Sequence, residues 1–126
     1  MNTRTIGAKY EKLAQNHLTE NGCKIITTNY HFHKMGEIDI IYYDTVNEFG
    51  KDVRYLCFGE VKYRKSNQSG GAIGAVNYQK QRKISAVAMG FVKQYDINLN
   101  HPMRFDVITV DGNDINWLKN AFYYVK

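Results

Sequence analysis

No hydrophobic run in this chain approaches the roughly 18 residues that a membrane-spanning helix needs; Ile40-Ile41-Tyr42-Tyr43 is among the longest. The stretch Met1-Asn2-Thr3-Arg4-Thr5 leads into no apolar signal segment, which argues against secretion by that route. Cysteine is scarce. Cys23 and Cys57 stand far apart in apolar settings and read as reduced thiols of a cytoplasmic protein, not as a disulfide framework. Internal repeats are lacking, and the one low-complexity stretch is Ser66-Asn67-Gln68-Ser69-Gly70-Gly71. Acidic residues are outnumbered, 12 against 17 Lys plus Arg, for a net charge of +5. What is present is 126 residues, 44% hydrophobic and 13% aromatic, with ten tyrosines. That length suits one domain, residues 1–126, with its own core, and the apolar fraction excludes a disordered chain. The basic balance hints at an anionic partner, nucleic acid being the commonest, but charge alone speaks to attraction and says little about chemistry.

Periodicity organises the chain. Ile6, Tyr10, Leu13, Ala14, His17 and Leu18 recur at helical spacing, and Asn21-Gly22 supplies the stop. Cys23 to Tyr30, rich in Ile and Thr, predicts a strand, and Glu37 to Tyr43 predicts a second. Asp44 to Asp52, with Asn47 and Gly50, reads as a hairpin loop, and Val53 to Arg64 as a third strand. Ile84, Val87, Ala88, Phe91, Val92 and Tyr95 form a second helical stripe that ends before Asn98, Asn100 and Pro102. Met103 to Val110 predicts a strand and Asp111-Gly112 a tight turn, leaving Ile115 to Val125 as a short strand or helix. The order α-β-β-β-α-β implies an α/β fold, a central mixed sheet flanked by helices.

The third strand carries the informative residues. Alternation places Leu56, Phe58, Glu60, Lys62 and Arg64 on one face, so Glu60 and Lys62 are neighbours inside an otherwise apolar strand. Charges buried there need partners or a metal, because desolvation costs several kcal/mol per ion; a structural Glu–Lys pair is one outcome. On the second strand Glu37, Asp39, Ile41 and Tyr43 share a face, and Asp39 between two isoleucines is out of character for a strand. A long hairpin would bring Asp39 beside Glu60. Two carboxylates and one ammonium on adjacent strands make a hard-cation site suited to Mg²⁺; the competing reading is a set of charges fringing an exposed face. His31-x-His33 lacks a Cys or acidic partner at zinc-site spacing, His17 reads as a core-edge residue and His101 as a loop residue.

Asp39 followed by Glu60-Val61-Lys62 resembles the Asp…Glu-x-Lys core of the PD-(D/E)XK nuclease superfamily, which includes restriction endonucleases and archaeal Holliday-junction resolvases. The chain is similar, more closely, to the small YraN-type family of endonuclease-like bacterial proteins. Gly7…Glu11…Ala14, Gly36-Glu37-Ile38-Asp39-Ile40-Ile41, Phe58-Gly59-Glu60-Val61-Lys62-Tyr63-Arg64, Lys80-Gln81-Arg82 and Arg104-Phe105-Asp106-Val107-Ile108 carry that resemblance, in order, over nearly the whole chain. Ile38 stands where the superfamily name has Pro. Gly59 stands where the YraN-type pattern more often has Glu or Val, and a glycine there is expected to loosen the strand beside Glu60.

The resemblance implies a restriction-endonuclease-like core and metal-dependent hydrolysis of phosphodiester bonds in DNA, in branched, damaged or duplex form. By it, Asp39, Glu60 and the carbonyl of Val61 hold Mg²⁺ or Mn²⁺, and Lys62 orients water or neutralises developing charge. Glu11 is a further carboxylate aimed from the first helix, and Gln81 a polar residue assisting the site or capping its helix. Glu37 is positioned to bind metal or pair with a cation. Arg64, Lys65, Lys80, Arg82 and Lys83 flank the site and suit a phosphate backbone, and Tyr63 and Tyr78 either stack on bases or simply pack. Two other functions fit the same residues. One is a nucleic-acid-binding module without turnover; the other is a partner active only in a complex or homodimer.

Overall fold

The computed structural model describes residues 3–63 and 76–126. Helix α1 (Thr3–Glu20) leads into strands β1 (Lys24–His31), β2 (Glu37–Glu48) and β3 (Lys51–Tyr63). Helix α2 (Tyr78–Gln94) then precedes β4 (Met103–Asp111) and β5 (Asp114–Phe122). The five strands form one sheet in the order β1-β2-β3-β4-β5. All pairs are antiparallel except β3 and β4, which run parallel because α2 carries the chain back across the sheet. The predicted mixed sheet is therefore present, and Ile115 to Val125 resolves as a strand: Asp114–Phe122 pairs with β4 after the turn at Gly112.

The two faces of the sheet are covered separately. On one, Ile38, Ile41, Leu56 and Phe58 meet Ile84, Val87 and Phe91 of α2. On the other, Ile40, Tyr42, Cys57 and Ile108 meet Ala14 and Leu18 of α1. Each such buried side chain contributes about 1.5–3 kcal/mol of hydrophobic stabilisation, which makes these stripes the main fixings of the helices. Cys23 and Cys57 are buried free thiols. No helix among the described residues is long and apolar enough to cross a membrane.

The hairpin differs from the expected loop over Asp44 to Asp52. β2 and β3 remain paired as far as Glu48 and Lys51, leaving only Phe49 and Gly50 as the turn. Both take positive φ, 53° and 83°, the backbone of a two-residue turn whose twist matches its strands. Polar composition suggests a loop, but Asp44 is buried and ion-paired to Arg104, so the strand continues through it. Gly59 does not loosen β3. A Cβ there would come within 3.0 Å of the Tyr42 ring and 3.3 Å of Ile108. The missing side chain thus lets Tyr42 lie across β3 and donate its hydroxyl hydrogen to Asp106 on β4, joining three strands beside Glu60.

Candidate active site

The site forms where β2 and β3 separate. Their register places Ile40 opposite Gly59, so the next residues, Asp39 and Glu60, stand across from each other as a long hairpin requires. Beyond that pair the Asp39 carboxylate receives the Val61 amide hydrogen, Oδ2 to N 2.8 Å. The expected alternation, with Ile38 on the face of Ile40, needs correction. Ile41 packs towards α2, and Ile38 joins the same core, out of step with Ile40; Asp39 stands between the helices, gathered with Glu11 of α1 and lining the cavity beside α2. Side-chain alternation breaks between Ile38 and Ile40 because β2 is leaving β3 there, and Asp39 turns into the gap.

Three carboxylates converge at the fork. Glu11, Glu37 and Asp39 each offer an oxygen within 4.8 Å of the others. Helix α1 brings Glu11 in, one turn after Gly7, and the start of β2 supplies Glu37. Asn29 of β1 braces two of them: with its amide nitrogen facing the acids, it donates to Glu37 at 2.8 Å and to Glu11 at 2.7 Å. Its backbone sits at φ 52°, a conformation asparagine tolerates better than most residues, and this aims the amide at the pair. Sequence reasoning passed over Asn29, because a lone Asn in an Ile/Thr-rich strand carries no local signal. His31 does have an acidic neighbour, Glu37 at 3.5 Å, while His33 lies beyond the strand.

Glu60 points to the α2 side. Its Oε1 lies 2.7 Å from Lys80 Nζ and 3.7 Å from Lys62 Nζ. Asp39, Glu60, Glu37, Asn77, Lys80 and Lys83 line a cavity of about 470 Å³ on this side. A second cavity of about 230 Å³ opens beside α1 and shares Glu37 and Asp39. Lys80 therefore stands inside the site, paired to Glu60, and not merely beside it. Asn77 caps α2 by accepting the Lys80 amide hydrogen at 2.9 Å; Asn followed by a helix-forming run is the usual sequence signature of such a cap. The Gln81 amide donates to the Val76 carbonyl at 2.9 Å, so this side chain shapes the turn into α2. Lys83 lines the cavity, whereas Arg82 is exposed and borders an adjoining groove that also includes Lys83. Arg64 and Lys65 lie outside the described residues.

Burial and mutual repulsion perturb this cluster. Burial first, then the charges of Glu60, Glu11 and Glu37, push Asp39 up to about 7 despite the Val61 hydrogen bond. Glu11 is raised by burial and by Glu37 and Glu60. Burial and the adjacent Lys80 ammonium hold Lys62 below the ordinary lysine value, outweighing Glu60 and Asp39. Burial works against the charge of Lys80 too, but its bonds to Glu60 and Lys62 raise it. Without a cation in their midst, the carboxylates destabilise one another.

The donor set of this trio is oxygen only, which suits a hard divalent ion better than zinc or copper. Two oxygens on one Mg²⁺ lie at most about 4.2 Å apart at its bond length of about 2.1 Å, so small side-chain rotations would close the trio on an ion. Residues 10–110 match the uncharacterised protein family UPF0102, also known as the YraN family. Among similar proteins, a UPF0102 protein of Legionella pneumophila is 39% identical over 95% of this chain and 96% of its own length. One from Vibrio vulnificus is 38% identical over 94% of this chain and 92% of its own, and one from Saccharophagus degradans 38% identical over 92% and 91%. A five-stranded mixed sheet consistent with a nuclease-like core and near-full-length similarity agree: the chain belongs to the UPF0102, or YraN, family.

Proposed function

We propose that the protein hydrolyses phosphodiester bonds in DNA with Mg²⁺ or Mn²⁺ at the β2–β3 fork, the resemblance favouring branched or damaged substrates. The observation that carries this reading is Asp39, tied to the Val61 amide between the acids of α1 and β2 and the Glu60–Lys62 pair of β3. Asp39, Glu60 and the Val61 carbonyl would hold the ion, with Glu11 and Glu37 supplying further oxygens. Such an ion supplies charge neutralisation at the scissile phosphate and lowers the pKa of a water molecule.

The chain's own side chains divide the remaining work. Lys62, on the same strand face as Glu60, orients the attacking water or meets negative charge developing on the phosphate. Lys80 and Lys83 hold flanking phosphates in the cavity on the α2 side. Asn29 keeps Glu11 and Glu37 at their stations, and Gln81 holds the turn from which Lys80 projects. We place the activity in the cytoplasm, where two buried free thiols would stay reduced.

Incubating the protein with branched, single-stranded and duplex DNA, with Mg²⁺ or Mn²⁺ and with chelator, tests this reading. Cleavage that needs the ion supports it, and size-exclusion of the active species separates a monomer from a homodimer. A second reading is favoured by the 2.7 Å contact of Lys80 with Glu60, which already neutralises that carboxylate. On that reading the domain binds nucleic acid without cutting it, and DNA bound intact under every condition is its signature.

A further inference from the structure

Tyr10 and Tyr63 stack face to face on the α1 side of the fork, ring centroids 4.2 Å apart and planes 16° from parallel. Tyr10 immediately precedes Glu11, and Tyr63 lies two residues beyond Val61, whose amide holds Asp39. Both rings line the cavity of about 230 Å³ whose other walls include Glu11, Glu37 and Asp39. Tyr63 remains 44% exposed despite its partner. At Gly7, one turn before Glu11, an added Cβ would meet no atom of the described residues within 4 Å.

The two cavities that meet at Asp39 differ in chemistry. The one beside α2 has Lys80 and Lys83 in its wall, whereas the described residues lining the one beside α1 include acids and aromatic rings and no cation. Phosphates of a bound strand belong on the first side. In the second, the carboxylates oppose phosphate and the tyrosine surface suits a flat neutral ring. A tyrosine already stacked on another has little rotamer freedom left to lose, so its outer face is prepared for a further ring.

We infer that the Tyr10–Tyr63 stack is a platform for one unpaired nucleobase, so that the DNA reaching the carboxylates is single-stranded or locally unpaired there. A base inside a duplex has both faces covered by its neighbours and does not reach a side chain without leaving the stack. The inference rests on the nucleic-acid reading of the site and narrows its substrate class.

The experiment uses a short oligonucleotide with one 2-aminopurine, single-stranded or annealed, and the full chain with Ca²⁺. Wild type binds the single strand more tightly than the duplex and quenches the probe. Tyr63→Leu weakens single-strand binding about tenfold or more, the usual scale for one lost base–aromatic stack, abolishes the quench and leaves duplex binding unchanged. Tyr63→Phe and Tyr63→Trp keep both signals, which separates loss of stacking from loss of folding. Unchanged single-strand affinity and quench in a folded Tyr63→Leu protein overturn the inference. A parallel cleavage assay with Mg²⁺, comparing wild type and Glu60→Ala, reads the nuclease proposal separately. If wild type cuts and Tyr63→Leu binds unchanged, the platform alone fails; if nothing cuts while Tyr63→Leu loses binding, the nuclease reading fails and the platform stands.

Discussion

The Asp39 carboxylate accepts the amide hydrogen of Val61 across the point where β2 and β3 separate. Val61 lies between Glu60 and Lys62, so one bond fixes Asp39 to the strand that carries both. It also brings Asp39 against Glu11 and Glu37 at a cost in like-charge repulsion. Asp39→Asn keeps an oxygen for the Val61 hydrogen and removes the charge. At pH 8 in chelator, scanning calorimetry is expected to place its midpoint about 3 °C or more above wild type, the scale set by about 1 kcal/mol in a domain of this size. Adding Mg²⁺ raises the wild-type midpoint by ligand linkage and leaves the variant unmoved.

Tyr42 and Gly59 form a second coupled pair. A methyl group at residue 59 would meet the Tyr42 ring at 3.0 Å and dislodge its hydroxyl from Asp106. Gly59→Ala is expected to lose about 1–3 kcal/mol in urea unfolding, the range for overpacking a tight core. Tyr42→Leu relieves that clash. The double variant is therefore more stable than the sum of the single effects predicts, a non-additivity that a double-mutant cycle measures directly.

Arg104 is buried between Asp44 and Asp106, each 2.8 Å away, and Lys119 adds a 3.0 Å contact to Asp44. Burial opposes the charge of Asp44, but its bonds to Arg104 and Lys119 prevail and hold the carboxyl below its ordinary value of 3.8. The folded state thus binds this proton more weakly than the unfolded chain does. Its stabilisation is complete above about pH 5 and fades as the pH falls through 3.8 towards the lower folded value. Stability measured from pH 6 to pH 3 is expected to decline less steeply in Asp44→Asn. Arg104→Leu removes the guanidinium shared by two buried carboxylates and costs about 3–5 kcal/mol at neutral pH.

Lys83 lines the cavity with Glu60, whereas its neighbour Arg82 does not. Lys83→Ala is expected to reduce duplex DNA affinity and to lower the slope of log affinity against log salt by about 0.9, one phosphate's share. Arg82→Ala changes that slope less. Equal slopes for both variants and wild type would remove Lys83 from the phosphate path.

The helices and the hairpin can be read from the chain because their signals are local. The stripe of Ile84, Val87, Ala88 and Phe91 lies within two turns of helix, and the hairpin register alone brings Asp39 opposite Glu60. What escapes is long-range. Asn29 reaches Glu11 and Glu37 only once α1, β1 and β2 are assembled. The Lys80–Glu60 pair depends on where α2 lands, and the strand character of Asp44 depends on Arg104, 60 residues further along the chain. The packing of Ile38 on the α2 side, out of step with Ile40, follows from the separation of two strands, a distortion that strict alternation cannot express.

The most direct measurement is the single-turnover cleavage rate of single-stranded DNA with Mg²⁺ for wild type, Asp39→Asn, Glu60→Ala and Lys62→Ala. The expected result is ion-dependent cleavage by wild type and a loss of about a hundredfold or more in each variant, the scale of removing one group that acts on the transition state. Equal rates in all four proteins would contradict it.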